Sequence, residues 1–295
     1  MQKIFECVPN FSEGRNQETI QAIRDAVKSI NGSELINIHS DKDHNRSVFT
    51  IIGEEDALRE SAFQSVKKAV ELIDLNKHQG AHPRIGAADV VPFIPLRNAS
   101  MEDTISLARS AGKRIGEELQ IPVFLYGEAA IIPFHRKLSN LRRGGFEKLR
   151  ELVGTTPDYQ PDFGPAYLGP AGACAVGARF FLIAFNIYLS TSDVGVAKKI
   201  AREIRESSGG LPKVQALGML VNNLAQVSMN LTDYRITPID TVYEAVEKSA
   251  YQKGITIDHS ELVGCIPKAA IQGIDPDSIK LKDFSPDRIL ENHLP

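Results

Sequence analysis

The segment HQGAHPRIGAADVVPFIP (78–95) concentrates side chains that could do chemistry. His78 and His82 are four positions apart, the spacing of two metal ligands on one face of a helix. Pro83, however, disfavours helix at His82, and Gly80 lies between the two histidines. A zinc site would also need further ligands, which the segment does not signal. We therefore expect a loop that leads into a strand, with His82 as a proton-transfer group and no metal.

A second polar cluster, HSDKDHN (39–45), lies between two strand-like runs. Turns need polar residues, so a simple turn is one interpretation. The other is a set of hydrogen-bonding groups that face a ligand, with Arg46 beside them to bind a carboxylate. A third hypothesis is a metal-dependent hydrolase, which would require stoichiometric metal and would use side chains of both segments: His39, Asp41, His44, His78 and His82.

Signatures of nucleophilic or phosphate-binding sites are weak. The sequence contains no GxSxG elbow and no Walker A motif. Its three cysteines are scattered and never form a CxxC pair, which suits a reducing compartment better than a disulfide framework. Cys7 and Cys265 lie in apolar runs and are predicted to be buried. Cys174 is predicted to be exposed, but no histidine is near it in the sequence.

Charge and hydropathy exclude several kinds of partner. Lys and Arg number 34 and Asp and Glu 37, a net charge of −3, so nothing indicates binding to nucleic acid or to an anionic membrane. No apolar run approaches the roughly 20 residues that a membrane-spanning helix needs. The N-terminus lacks the long apolar stretch of a signal peptide. These features predict a cytoplasmic protein.

Strand and helix patterns alternate, and their order repeats. The order strand, helix, strand, strand, helix, strand occurs once in each half of the chain. Ser100 and Asp103 predict a capping box, and Thr237 with Pro238 predicts a helix start. The expected elements of the first half are 3–8, 16–30, 33–40, 46–53, 55–75, 89–95, 100–119 and 121–127. Those of the second half are 179–189, 193–207, 213–221, 224–234, 237–254 and 255–267.

The repeat predicts an α/β (α+β) protein with two sandwich-like subdomains. Each would be a mixed sheet with helices mainly on one face, a repeat of the split βαβ type. We place the subdomains at 1–178 and 179–295, and the first would include a Gly/Pro-rich loop at 160–178. The Gly/Pro-rich region is typical of a linker or of a surface loop without a function, and its length makes a functional loop the alternative. A crevice between two such subdomains would suit a small molecule.

Several motifs together resemble the formiminotransferase family, and the similarity runs from residue 3 to the C-terminus. These motifs are CVPNFSEGRN, DxDHNRSV, LIDxxxHxGxHPRIGAxDVxPFIP, PDFGP followed by GAR, FLIAFN, NLAQVSMNL and LVGxIP. The family contains the glutamate formimidoyltransferases of histidine degradation. The resemblance implies transfer of a formimino group from N-formimidoyl-L-glutamate to N5 of tetrahydrofolate, which gives 5-formimidoyltetrahydrofolate and L-glutamate.

The resemblance also implies roles for residues. The catalytic histidine of the family corresponds to His82, and tetrahydrofolate, the co-substrate, is held by a loop that corresponds to residues 163–172. That loop consists of Phe163, Gly164, Pro165, Ala166, Tyr167, Leu168, Gly169, Pro170, Ala171 and Gly172. The substrates carry carboxylates, so we expect arginines and other polar groups at strand ends to bind them: Asn10, Asp41, His44, Arg46, Arg84, Arg179 and Asn186.

The resemblance further implies a homodimer, a site between the subdomains and no metal. Some relatives fuse this domain to a cyclodeaminase, so we expect that activity to reside on a separate chain. A 5-formyltetrahydrofolate-using formyltransferase or salvage enzyme is the alternative function. A non-catalytic interaction module is a further alternative, and it predicts no folate binding.

Overall fold

A seven-stranded mixed sheet organises the first of two units in the computed structural model, which describes residues 2–294. This unit ends at Arg179, and the second begins at Phe180. The elements of the first unit, in chain order, are β1 (Ile4–Cys7), β2 (Asn10–Phe11), α1 (Gln17–Lys28), β3 (Ser33–Asp41), β4 (Arg46–Gly53), α2 (Glu55–Leu72), β5 (Ala88–Arg97), α3 (Met101–Leu119), β6 (Val123–Gly127), α4 (Leu138–Leu141), α5 (Gly145–Leu152) and β7 (Cys174–Ala178).

The strand order of the first sheet contains the predicted split βαβ arrangement. From one edge the order is β3, β4, a shared position for β1 and β2, and then β5, all paired antiparallel. The sheet then continues with β7 and β6, which pair in parallel. Because β1 and β2 lie between β4 and β5, the end of β2 is close to the start of both neighbouring strands.

Local signals explain where the helices begin. The side chain of Asn16 accepts hydrogen bonds from the amides of Glu18 and Thr19, which starts α1. The predicted capping box is confirmed, since Ser100 and Asp103 each accept from the other's backbone amide at the start of α3. Helices α1, α2 and α3 bury their apolar faces against one side of the sheet, whereas α4 and α5 pack on the other side over β6 and β7.

The second unit is a smaller α/β structure with the same order of elements. It contains β8 (Ile183–Leu189), α6 (Val194–Ile204), β9 (Val214–Val221), β10 (Leu224–Leu231), α7 (Ile239–Tyr251), β11 (Ile257–Val263) and α8 (Lys268–Ile271). The strand order is β11, β8, β10, β9. Alternate residues of β8 and β10 pack against α6 and α7 in an apolar core. The predicted α/β class and the repeated order are therefore confirmed.

The structure corrects several details of the prediction. The second sheet is antiparallel throughout rather than mixed. The end of the predicted Gly/Pro-rich loop is strand β7, in which small residues (CAVGA) pair between β5 and β6. Cys174 is therefore buried rather than exposed. Thr237 was expected to cap helix α7, but the helix begins at Ile239 with Pro238 as its N-cap. The Thr237 hydroxyl donates to the Pro212 carbonyl and does not cap the helix.

Strand β8 begins only at Ile183, four residues later than the apolar run that predicted it. None of the helices within residues 2–294 combines the length and the apolar character that crossing a membrane requires.

Candidate active site

His82 lies in the segment between α2 and β5, where no helix forms, as the following proline predicts. Its Nε2 is 2.8 Å from Nη1 of Arg46. A guanidinium only donates, so Nε2 must be the acceptor and the ring proton must be on Nδ1. The side chain also forms a hydrogen bond with the backbone of Pro83, whose carbonyl can only accept. The two partners together fix one neutral tautomer of the imidazole.

The surroundings of His82 favour its uncharged form. Burial holds the pKa of His82 well below its usual value, and the nearby Arg46, Arg142 and His44 lower it further. The rings of His44 and His82 are 5.9 Å apart between centroids. Burial disfavours a charged imidazole, and neighbouring cations add to that effect. His82 is therefore neutral at pH 7, which is the form a general base requires.

Arg46 is the first residue of β4, and β4 pairs with β2. Its Nη1 also donates to Oδ1 of Asn10 at 3.2 Å. The amide of Asn10 is oriented by its Nδ2, which donates to the Val8 carbonyl at 2.9 Å. Two predicted residues, Asn10 and Arg46, are thus brought to the predicted catalytic histidine.

The turn between β3 and β4 does more than join two strands. Asp41 and Arg46 are paired across the hairpin, and Oδ1 of Asp41 accepts the amide of the buried His44 at 2.7 Å. Asn45 has a φ of +48°. Its side chain accepts from the Gly14 amide at 2.9 Å and donates to the Gln79 carbonyl at 3.0 Å. The predicted turn is confirmed, and it also contributes side chains to the site.

His78 and Arg84 form a connected pair beside this turn. Nε of Arg84 donates to Nδ1 of His78 at 3.1 Å, so the proton of His78 lies on Nε2, which donates to the Asn45 carbonyl at 2.9 Å. The pKa of His78 is lowered, mainly by burial. Arg84 also forks onto both carboxylate oxygens of Glu147 at 2.8 Å each. This hydrogen bonding lowers the pKa of Glu147 to about 2. Arg84 therefore already binds a carboxylate of the protein.

Two further interactions hold the backbone that follows His82. The residues that make them were not among the site residues predicted from the sequence. Asp89 is 2% exposed, and its Oδ1 accepts the Ile85 amide at 2.7 Å while its other oxygen pairs with Arg142. Ser12 donates to the Gly86 carbonyl at 2.7 Å. The sequence placed Asp89 near the histidines, but no signal pointed to Arg142, 53 residues further along the chain.

The predicted folate loop ends against the same segment. The Ala87 amide donates to the Ala171 carbonyl at 2.8 Å, and the Ala173 amide donates to the Ile85 carbonyl at 2.9 Å. Gly172 has a φ of +70°, and a Cβ there would lie 2.2 Å from the Ile85 carbonyl oxygen. The C-terminal end of the loop is thus held three to five residues from His82. Its role in binding folate stays a prediction.

The start of the loop is anchored separately. Oδ2 of Asp162 accepts the Leu125 amide at 2.7 Å and lies 3.2 Å from Nδ1 of His135. Nε2 of His135 donates to the Asp158 carbonyl at 2.9 Å. Between the two anchors, Tyr167 is 64% exposed. The loop therefore has two fixed ends and an exposed aromatic side chain.

The last two predicted residues lie elsewhere in the chain. Arg179 follows β7 and interacts electrostatically with the buried Glu6 on β1. Asn186 belongs to the second unit, where its Nδ2 donates to Glu261 at 3.1 Å, and the Tyr188 hydroxyl donates to the same oxygen at 3.2 Å. Their substrate-binding roles stay predictions.

Residues from five chain segments line one small pocket, which combines a neutral imidazole with two arginines: Ser12, His44, Asn45, Arg46, His78, His82, Arg84 and Asp89. As the side chains lie, the pocket leaves no room for a water molecule, but its neutral imidazole can accept a proton and its two arginines attract anionic groups. Over residues 2–294, no three His, Cys, Asp or Glu side chains converge as a metal-binding group.

Comparison with known proteins identifies the family. Residues 4–179 match the model of the formiminotransferase domain, N-terminal subdomain, and residues 184–275 match that of the formiminotransferase domain. The chain is 44% identical to the glutamate formimidoyltransferase of Thermoplasma acidophilum, over 99% of this chain and 97% of the relative. It is 40% identical to that of Streptococcus pyogenes serotype M1, over 100% of this chain and 99% of the relative.

A bifunctional relative matches over part of its length. The formimidoyltransferase-cyclodeaminase of Rattus norvegicus is 43% identical over 281 residues, which are 92% of this chain and 51% of the relative. The chain thus spans about half of that protein. Since both family models match and the identity to full-length relatives reaches 40–44%, the chain belongs to the formiminotransferase family, as the sequence motifs predicted.

Proposed function

We propose that this chain is a glutamate formimidoyltransferase. It transfers the formimino group of N-formimidoyl-L-glutamate to N5 of tetrahydrofolate and releases L-glutamate. The observation that carries the proposal is the neutral His82 beside Arg46, in a chain that matches glutamate formimidoyltransferases over nearly its whole length.

The chemistry needs one group that accepts and then returns a proton. N5 of the folate attacks the amidine carbon, a C–N bond forms, and the N5 proton passes to His82. The bond from that carbon to the glutamate nitrogen then breaks, and the imidazolium returns the proton to the leaving amine. Because His82 is neutral before attack and charged after it, one residue serves both steps. Positioning of both reactants supplies a further large part of the rate.

The charged groups of the pocket suit the carboxylates of the substrate. Two arginines are candidates: Arg46, which contacts His82, and Arg84, which would first have to release Glu147. We assign the tetrahydrofolate to the loop 163–172. Apart from the two chain neighbours of Gly169, no heavy atom of residues 2–294 lies within 4 Å of where a Cβ of Gly169 would be. A ligand could therefore approach the backbone closely at this position.

The wider context of the reaction is also part of the proposal. We propose a homodimer in the cytoplasm, a reaction that needs no metal, and a separate cyclodeaminase that consumes the product. The name of the rat relative, which combines both activities, supports the last point. Size-exclusion chromatography with light scattering tests the dimer, and activity after dialysis against EDTA tests the independence from metal. Chelator-sensitive turnover would favour the metal-dependent hydrolase instead.

The decisive assay compares two pairs of substrates. The purified chain is mixed with tetrahydrofolate and N-formimidoyl-L-glutamate, and in parallel with 5-formyltetrahydrofolate and L-glutamate. We expect glutamate release and a change of folate absorbance with the first pair at a much higher kcat/KM. A higher kcat/KM with the 5-formyl pair would establish the formyltransferase alternative, and no binding of either folate would overturn both.

A further inference from the structure

Arg142 brings a positive charge to the segment that carries His82 from a distant part of the chain. It follows α4, whose last residue, Leu141, is fully buried in an apolar cluster that includes Val90 of β5. This packing fixes the end of α4 over the sheet, so the guanidinium reaches the start of β5. There its Nη2 donates to Oδ2 of Asp89, which is buried.

Asp89 connects this charge to the backbone beside His82. Its Oδ1 accepts the amide of Ile85 at 2.7 Å, and the carbonyl of Ile85 accepts the amide of Ala173 at 2.9 Å. The side chain of Ile85 is fully buried in the same apolar cluster. Ile85 lies three residues after His82, and Pro83 restricts the backbone between them. A shift of Asp89 would therefore move the imidazole.

The hydrogen bonding of Arg142 indicates more than a contribution to stability. Its Nε is buried and has no hydrogen-bond partner within residues 2–294, which costs stability. A buried ion pair is also weak evidence for a stabilising role, because taking two charges out of water offsets most of their attraction. What the arrangement does provide is a fixed cation near the predicted base, since the charge of Arg142 acts on His82.

We propose that Arg142 is a positioning residue of formimino transfer, which holds the imidazole of His82 in its working orientation through the carboxylate of Asp89. This inference rests on the proposed function and does not require Arg142 to touch a substrate, because Asp89 and the Ile85 amide transmit its position. Misplacement of a reacting group by about 1 Å can lower a rate roughly a hundredfold. Loss of Arg142 should therefore affect kcat more than substrate binding.

The charge of Arg142 has a second effect on the same imidazole. Burial is the main cause of the lowered pKa of His82, and nearby cations add to it because they disfavour a second positive charge. Without Arg142, we expect the pKa of His82 to rise, so the acidic limb of the pH profile of kcat/KM should move to higher pH. The charged and titratable groups around this imidazole are His44, Arg46, His78, Arg84, Asp89 and Arg142.

Nuclear magnetic resonance tests the inference without turnover. The histidines are labelled at 13Cε1, and the His82 signal is assigned with the His82→Gln variant. In Arg142→Met, we expect the midpoint of the His82 titration to move to higher pH by about one unit, a tenfold change in proton affinity. Arg142→Lys keeps the charge and should titrate close to the wild type. Arg143→Met, at the exposed neighbouring position, is the matched control and should titrate like the wild type.

A double variant keeps the test valid if the single one does not fold. Arg142→Met leaves the buried carboxylate of Asp89 unpaired, which destabilises the protein. Asp89→Asn combined with Arg142→Met removes both charges, and the amide oxygen can still accept from Ile85. We expect this double variant to show the same rise in the pKa of His82. A wild-type titration of His82 in the folded variants without Arg142 would overturn the inference.

Steady-state kinetics separates positioning from stability. At a pH where His82 is neutral, we expect kcat of Arg142→Met to fall by about tenfold or more, with little change in KM for tetrahydrofolate, and Arg142→Lys to recover most of the loss. A loss of activity that only matches the unfolded fraction, with an unchanged pH profile, would contradict a positioning role. If the wild type turns over no formimidoyl donor, the proposed function fails, while the titration of His82 still decides whether Arg142 acts on it.

Discussion

A buried carboxyl group on β1 makes a quantitative test of the first unit possible. Glu6 is paired with Ile52 of β4 and Ile94 of β5 and is 2% exposed. Its Oε2 has no hydrogen-bond partner within residues 2–294. Burial raises the pKa of Glu6 from 4.5 to about 7, although the nearby Arg179 opposes this effect. The substitution Glu6→Gln removes the titration and keeps the shape.

The raised pKa of Glu6 decides how the stability of the protein changes with pH. The folded protein binds the proton of Glu6 more tightly than the unfolded chain does. Protonated Glu6 therefore contributes to the free energy of unfolding fully below pH 4.5, and this contribution is lost as the pH rises through 7. A change from 4.5 to about 7 corresponds to a loss of about 3 kcal/mol at high pH. As the pH rises from 5 to 8, we expect the free energy of unfolding of Glu6→Gln to increase by about 2.5 kcal/mol relative to that of the wild type.

Urea unfolding at both pH values measures this difference. The matched control is Glu34→Gln, an exposed glutamate of β3 that faces the same residue, Ile52, from the edge of the sheet. We expect the control to follow the wild type at both pH values. If the unfolding free energies of Glu6→Gln and the wild type change in parallel with pH, Glu6 does not titrate near 7 and the reasoning is wrong.

Three further substitutions test the supports of the site. Asp89→Asn leaves the Arg142 charge unpaired and should lower the free energy of unfolding by about 3 kcal/mol, which urea denaturation measures; an unchanged midpoint would contradict the role of the ion pair. Gly172→Ala should lower the thermal midpoint because of its positive φ and the clash with Ile85, whereas Gly169→Ala should not; equal midpoints would refute this. His135→Phe removes both hydrogen bonds at the loop start and should speed proteolysis within residues 160–172, and unchanged cleavage would argue against the anchor.

The order of the elements was predictable because most of them show strong apolar periodicity. The capping box of α3 and the hairpin between β3 and β4 also carry local signals. Strand β7 was missed because CAVGA contains small residues, which have little β-propensity of their own and adopt the strand only between β5 and β6. Tertiary pairing, rather than local sequence, decides its structure.

The residues of the candidate site were likewise predictable only in part. His82 and Arg46 stood out because their neighbours excluded a helical metal pair and suggested a ligand-facing turn. Arg142 did not stand out, since it follows a four-residue helix in a region read as a linker. Its partner Asp89 is far away in sequence, and the ion pair exists only once α4 packs over the sheet. The hydrogen bond from Arg46 to His82 is likewise a side-chain contact that no motif encodes.

The most direct test of the account is single-turnover transfer by His82→Ala. The variant and the wild type are each mixed with tetrahydrofolate and N-formimidoyl-L-glutamate, and the formation of 5-formimidoyltetrahydrofolate is followed. General acid–base catalysis contributes about 10²–10⁴-fold, so we expect the rate to fall by at least a hundredfold while tetrahydrofolate still binds. Transfer by His82→Ala at the wild-type rate would contradict the central role of His82.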